Sequence, residues 1–424
     1  TGGSLSFVGK KVGDNAGTPL NNLAGATAEI TGGELLSPYT CIFSSGDLKV
    51  SDIQLQSSTD FWMTVKLSDG LAEFNNVTIK TRNGGCVENA GGNAVFENCR
   101  FEQTVTGNPA WNSVALAVSN GGTTTVKSGS YSGSVAAAYV YSSGGTFNLL
   151  GGEYSSSGTV LKADTSTTST YSLINVYGGV YSGAYNVAAS KADLEIKGGV
   201  FDADPSNYLA EGYATSSTEG GKYSVGAKSA VAKVGETSFA SVNDAINVAF
   251  DGAEVTLLSS TNEDVVVPNG RSATLDLNGC TLTNDESDTI TVKNGAALSI
   301  IGNGVVDNKT NGRAAVYNSG VVDLKGGTYD RTSETGESAD ISGSNSWYTI
   351  CNHGEMTIGE DVEVKNTGSF SSMIENGYYS YGKDDERSGY VEGVNLPNPK
   401  LTIDGGHFVG GLNSVKNDDG GILT

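Results

Sequence analysis

Histidine is nearly missing from this chain: 424 residues hold two, His353 and His407. His353 sits between Asn352 and Gly354, a turn setting, and His407 occupies a strand spacer position expected to face solvent. Cysteine is scarce too. Cys41, Cys86, Cys99, Cys280 and Cys351 show no metal-site spacing. Seven prolines stand against 59 glycines, and long helical periodicity is almost absent, which excludes a helical protein and suits many tight turns between short strands. Basic residues number 25 against 47 acidic ones, a formal net charge of −22. Such a surface repels nucleic acid and anionic membranes. No run of 18 apolar residues is present to span a membrane, and no signal peptide is visible.

What is present is a repeated hexapeptide. Leu149-Leu150-Gly151-Gly152-Glu153-Tyr154 places apolar residues first and sixth, with two turn-prone residues between spacers. The pattern returns at Val176 to Tyr181, Ile196 to Phe201, Leu324 to Tyr329 and Ile403 to Phe408. Positions five apart lie on opposite faces of a straight strand, so both ends face a core only if the chain bends between them. The third position is the expected bend. It holds Gly32, Asp52, Asn76, Asn98, Ser128, Gly151, Gly178, Gly198, Gly279, Gly302, Gly326 and Gly405, mostly residues that tolerate positive φ.

The sixth positions Leu35, Leu55, Ile79, Phe101, Tyr131, Tyr154, Tyr181 and Phe201 follow one another by between 20 and 30 residues. Leu282, Val305 and Tyr329 continue the series, and the 79 residues from Tyr329 to Phe408 leave room for about three coils. A period of this size marks a solenoid whose coils stack around one apolar column. The fold class expected is all-β: a right-handed parallel β-helix in two tandem units, 1–228 and 229–424, with one short capping helix near 241–250. The C-terminal stretch reads as the start of another coil, so the chain is expected to be part of a longer protein.

Tyr131, Tyr154, Tyr181 and Phe201 are expected to stack inside the coil, and Asn76 above Asn98 to form an amide ladder. Cys99 and Cys280 read as small buried hydrophobes beside the bends. A disulfide between Cys86 and Cys99 across adjacent coils stays open. Residues 107–125, with Pro109 and Trp111, form a projecting loop. Residues 202–227 break the period and read as a closing cap, with a helical turn from Tyr208 to Tyr213 and a strand at Lys222 to Val225. Ser241-Val242-Asn243-Asp244-Ala245 opens the convincing helix, capped by Ser241 and covering the edge of the second unit. Loops lengthen at 331–347 and 376–398.

Residues 199–225 (GVFDADPSNYLAEGY, then GKYSV) and 231–282 (VAKVGETSFASVNDAI, DGAEVTLL, ATLDLNGCTL) resemble the closing and opening segments of β-helical repeats in large surface proteins of gut-associated bacteria. The resemblance covers about 200 to 424; the residues before it match by the coil pattern alone. It implies a pectate-lyase-type β-helix in an extracellular, adhesin-like setting, and it brings no catalytic residues.

Cleavage of polysaccharide calls for paired carboxylates on one face. Asp52, Asp276 and Asp404 are isolated, and Asp384-Asp385-Glu386 and Asp418-Asp419 lack calcium-loop spacing. No catalytic residue, metal site or cofactor is therefore expected, with calcium left open. The primary expectation is a non-catalytic, extracellular module of a cell-surface protein, whose partners are other repeats of the same parent chain or host and cell-surface proteins. A second is glycan binding through loop aromatics: Trp111, Trp347, Tyr348, Tyr378, Tyr379 and Tyr381. A third is a polysaccharide lyase or glycoside hydrolase.

Overall fold

The computed structural model describes residues 6–8, 11–12, 18–57, 62–105, 110–141, 143–164, 171–187, 192–218, 220–310, 312–332, 347–366, 372–378 and 398–424. The protein is an all-β parallel solenoid of about 14 turns with a single short α-helix. It divides into two compact units, Thr1–Ala227 and Lys228–Thr424.

In the first unit, nine parallel strands from Ser6–Val8 to Ala192–Ile196 form one sheet. Two further rows merge into a second sheet of 17 strands, because Glu153–Ala163 and Val180–Val187 run through the corner that separates the rows elsewhere. Register is kept coil to coil: Phe74 lies beside Val50 and Phe96, and Ile79 beside Leu55 and Phe101. The sixth-position side chains are buried, and the aromatic ones stack. Centroids are 5.3 Å apart for Tyr131–Tyr154 and 4.8 Å for both Tyr154–Tyr181 and Tyr181–Phe201. The column is therefore core rather than an exposed strip.

The bends come in two kinds, and the sequence reading saw one. Gly32, Asp52, Asn76, Asn98, Gly279 and Gly302 do carry positive φ at the third position. Where the sixth residue is aromatic and the fourth is glycine, the left-handed residue moves one place on, to Gly129, Gly152, Gly179, Gly199, Gly327 and Gly406. Two of these coils end in phenylalanine, Phe201 and Phe408, so the shift goes with the fourth-position glycine; in the four tyrosine coils the bend is also used by the ring. The hydroxyls of Tyr131, Tyr154, Tyr181 and Tyr329 donate to the carbonyls of Ser128, Gly151, Gly178 and Gly326, at 2.7 to 3.0 Å. A buried hydroxyl needs such a partner, and the bend turns its third carbonyl inward to supply it. A Cβ on Gly179 would stand 3.1 Å from the Tyr181 hydroxyl and 2.8 Å from the Gly152 carbonyl.

The Asn column takes different partners from those expected. Asn76 donates to Asp52 (2.7 Å), and Asn98 accepts from the Ser128 hydroxyl (3.0 Å). In the cap, the helical turn is a 3₁₀ turn at Ser206–Tyr208, and Tyr213–Ser217 is a strand instead. It pairs antiparallel with Tyr223–Ala227, which also pairs antiparallel with Gly199–Phe201 and so covers the edge of the last coil. Tyr185 ties the cap down: its ring meets Phe201 and Tyr208, and its hydroxyl donates to the Ala203 carbonyl.

The second unit opens on Ala232–Val234, antiparallel to both Thr237–Phe239 and Ala253–Leu257. The helix α1, Val242–Val248, follows with Val242, Ala245 and Ile246 buried. The Ser241 hydroxyl accepts from the Asp244 amide, and the Glu263 carboxylate accepts from the Val242 and Asn243 amides, each at 2.8 Å. Three of the first-turn donors are thus satisfied. The helix stands against Val265–Val267, first in its row.

Three parallel rows then build the coils: one of nine strands, counting the opening hairpin, and two of six. Two sequence assignments change here. The inner residue after Leu282 is Val306, not Val305, because the turn at Gly302 to Gly304 is one residue longer. One coil, with Val364 inward, separates Tyr329 from Phe408. Much of the remaining length falls in 333–346 and 379–397, outside the described residues.

An amide ladder does run through this unit, at a place the hexapeptide did not mark. Asn318 donates to Asn352, Asn352 to Asn376 and Asn376 to Asn417, at 2.8, 2.8 and 2.7 Å. Each side-chain nitrogen also donates to a main-chain oxygen: Glu355, Lys400, Ile422 and Gly421 in turn. The turn after Gly327–Asp330 holds a buried guanidinium. Arg331 donates to the Trp347 and Thr310 carbonyls, each at 2.9 Å, and burial lowers its pKa to about 10. All five cysteines are free. Cys99 is buried as expected, while Cys280 is partly exposed at its turn.

Candidate functional site

The first unit carries its candidate site on the row Met63–Leu67, Gly85–Asn89, Val114–Val118 and Ala136–Val140. Continuous apolar runs such as VALAV and AAAYV are buried on both faces, as their composition requires. Over this wall, Tyr141 packs against Met63, Val114, Ala117, Ala136 and Tyr139. Trp111 lies on top, 55% exposed, its ring 5.0 Å from that of Tyr141.

The polar tips beneath the rings are all engaged. The Tyr141 hydroxyl donates to buried Glu88, which also accepts from Ser119 (3.3 Å) and pairs with Lys66 (3.2 Å). The Tyr139 hydroxyl donates to Asp164 at 3.0 Å, and Lys162 Nζ lies 4.2 Å above the Tyr139 ring. Burial, and then these carboxylates, push both phenols well above their ordinary pKa. The Trp111 indole thus meets a hydrogen-bonded layer at a tilt of 45° to the Tyr141 ring.

Next to this wall is a groove of about 610 Å³ lined by Gln56, Lys80, Arg82, Asn83, Glu102 and Thr104 among others. Its carboxylate, Glu102, lies 3.6 Å from Arg100. The Ser113 hydroxyl donates to the Asn83 carbonyl at 2.9 Å, which ties the groove to the segment carrying Trp111. Trp62, 57% exposed, precedes the strand Met63–Leu67 at the corresponding corner two coils before Trp111. Sequence reasoning missed it. The signal was the shared corner, visible only once the register of these strands is known.

The second unit gathers three of the other named aromatics. Trp347 and Tyr348 are half-buried, with rings 5.3 Å apart. Lys416 donates to the Tyr348 hydroxyl at 3.4 Å and pairs with Asp418. Tyr378 corrects the reading of it as a binding aromatic: it is 9% exposed, its ring 5.3 Å from His353. Its hydroxyl donates to the His353 carbonyl, so no open face is left for a ligand. Tyr379 and Tyr381 lie outside the described residues, as do Asp384, Asp385 and Glu386.

His353 is at a turn, yet it is buried and linked on both sides. Its Nδ1 is 3.0 Å from the Tyr317 hydroxyl and its Nε2 3.2 Å from Glu375 Oε2. A neutral imidazole accepting from Tyr317 donates to Glu375. The other Glu375 oxygen is buried without a hydrogen-bond partner among the described residues. Burial raises the Glu375 pKa, against the pull of His353. A groove of about 750 Å³ runs past His353 over Ala296, Val321, Glu355 and Lys400, with Glu355 paired to Lys400. His407 is exposed, as expected. Among the described residues, no three His, Cys, Asp or Glu side chains converge with metal-binding geometry.

No protein-family model, curated protein or solved structure matches the chain.

Proposed function

We propose that this protein is a non-catalytic, extracellular module of a cell-surface protein, a β-solenoid spacer of adhesin-like type. The observation that supports a non-catalytic reading is the state of the described carboxylates. Among the described residues, two grooves hold one carboxylate each, Glu102 and Glu355, and both are ion-paired; another is lined by Gln103, glycine and serine. Cleavage of a glycosidic bond by the usual route needs two carboxylates about 5 to 10 Å apart. The stacked tyrosines and the amide ladder favour a mechanical role, since along these runs successive coils are joined by side chains as well as backbone. The acidic surface favours solubility and disfavours nucleic acid. Its partners in this reading are neighbouring repeats and host or cell-surface molecules, with no resident cofactor.

Location is tested by antibody labelling of intact against lysed producer cells. Labelling of intact cells is expected; labelling only after lysis overturns the extracellular reading.

A second reading, glycan recognition by the same module, is favoured by Trp111. A half-exposed indole in contact with Tyr141 offers an apolar face of the kind on which sugar rings stack. Quenching of tryptophan emission by a glycan panel, lost in Trp111→Ala, supports it; an unchanged response in that variant sets it aside.

A further inference from the structure

We propose that Asn76 in the first unit is an acceptor for an N-linked sugar, and that Asn308, which stands in the same local sequence in the second unit, is closed to it.

Asn-x-Ser/Thr, with x other than proline, is the pattern in which an asparagine amide takes a sugar. It occurs twice in the chain, at Asn76-Val77-Thr78 and at Asn308-Lys309-Thr310. The two are equal as sequence. The fold separates them.

Asn76 turns the corner between the strands Leu71–Asn75 and Thr78–Arg82, with φ of +52°. Asparagine adopts this conformation more readily than most residues with a side chain. Val77 points into the core and is 0% exposed, so Asn76, exposed, and Thr78, half-buried, both lie on the outer surface. The amide and the hydroxyl that a transferase must meet together are therefore presented on one side. The corner is low on both sides of Asn76. The same position holds Asp52 one coil before and Asn98 one coil after, both exposed and no longer than Asn76 itself.

The hydrogens on the two amides decide between them. An asparagine side-chain nitrogen carries two, and attachment of a sugar replaces one. Asn76 Nδ2 donates one bond among the described residues, to Asp52 Oδ1 at 2.7 Å. Its second hydrogen can be exchanged while the first keeps Asp52. Asn308 Nδ2 donates two, to the Ser287 carbonyl at 2.7 Å and the Thr289 hydroxyl at 3.1 Å, and the residue is 0% exposed. No hydrogen is left there to exchange, and a sugar would have to enter the coil at the loss of a buried hydrogen bond.

The reaction takes a glycosyl diphosphate as donor and a transferase to join it. The bond from Asn76 Nδ2 to the anomeric carbon forms as the bond from that carbon to the diphosphate oxygen breaks. The diphosphate leaves with the electron pair, and the amide proton passes to a base of the transferase. Nothing is oxidised or reduced. The product is a bulky, neutral, well-solvated group on the corner, with the core beneath it unaltered.

The test incubates the intact folded chain with UDP-glucose and a soluble N-glycosyltransferase whose activity is established on a standard acceptor peptide. Intact mass and peptide mapping read the result. One hexose per chain is expected, on Asn76. Asn76→Gln and Thr78→Ala should each lose it, and Thr78→Ser should keep part of it. Unchanged melting midpoints establish that the variants fold. Attachment should move the midpoint of the wild-type chain by no more than about 2 °C, since Asp52 keeps its bond and the core is untouched. A chain that takes up no hexose overturns the proposal. A hexose on Asn308 of the folded chain overturns the distinction between the two sites. A hexose retained in Thr78→Ala overturns the part given to Thr78, and a larger fall in the midpoint overturns the claim that the corner has room.

Discussion

The rings of Tyr154 and Tyr181 lie 4.8 Å apart and within 1° of parallel, one coil above the other. Each hydroxyl returns to the carbonyl three residues earlier, Gly151 or Gly178. One side chain therefore fills the core, contacts the next coil and satisfies its own bend. Tyr181→Phe keeps the first two roles and is expected to cost about 1 kcal/mol, the net worth of a buried hydrogen bond. Tyr181→Ala opens a cavity and should cost about 3 to 5 kcal/mol. Urea unfolding of the intact chain separates the two; equal losses would mean that the hydroxyl, not the ring, holds the column.

The same geometry makes glycine obligatory one residue later than the bend in aliphatic coils. Gly179 has φ of +105° and no room for a Cβ. Gly179→Ala is expected to destabilise by about 2 kcal/mol or more through backbone strain and the displaced ring. Gly235 has φ of +55° with nothing within 4 Å of a Cβ, so Gly235→Asn, which tolerates that conformation, should be nearly neutral. Comparable losses in the two variants would contradict the account of the bend.

The amide ladder predicts a dependence on position. Asn352 sits mid-ladder and bonds amides on both sides; Asn318 is the first rung, and Val292 fills the same slot one coil earlier. Asn352→Val strands buried groups above and below, at about 2 to 4 kcal/mol. Asn318→Val interrupts one side only and should cost about half as much. Thermal melting of the two variants tests the order.

Buried carboxylates set a pH dependence in the second unit. Burial raises the pKa of Glu375, and Asp330 and Glu263 are raised for the same leading reason. The folded state then binds these protons more tightly than the unfolded chain. Stability is full below the ordinary carboxylate range and falls as pH rises from there through the elevated folded values. The second unit should therefore melt higher at mildly acidic than at neutral or basic pH. Glu375→Gln, which keeps the bond from His353 and removes the charge, should raise the midpoint at basic pH and flatten the profile. A wild-type midpoint that climbs from acidic to neutral pH would contradict this.

The coil pattern was legible because bend chemistry and a period of 20 to 30 residues are both local signals. The six-residue repeat located the buried aromatics, and Ser241 with Asp244 marked the helix start. Two local readings slipped by a single residue, at the glycine pairs and at Val305, because an extra turn residue leaves composition unchanged while reversing which side chain points inward. Glu263, which caps the helix from 20 residues away, and the ladder from Asn318 to Asn417 depend on which coils are neighbours. Trp111 stood out as an aromatic in a long turn. Trp62, Tyr139 and Tyr141 did not, since only the register brings them to one wall. Tyr378 resembled an exposed loop aromatic in sequence and is instead packed on His353.

The central claim is a module that holds and recognises without cleaving. Its most direct test is product analysis after prolonged incubation of the intact chain with a plant and host glycan panel, with and without added calcium, alongside binding to the same panel. Unchanged chain lengths of every glycan, including those that bind, are the predicted result. New reducing ends or unsaturated products, abolished by Glu102→Gln or Glu355→Gln, would contradict it.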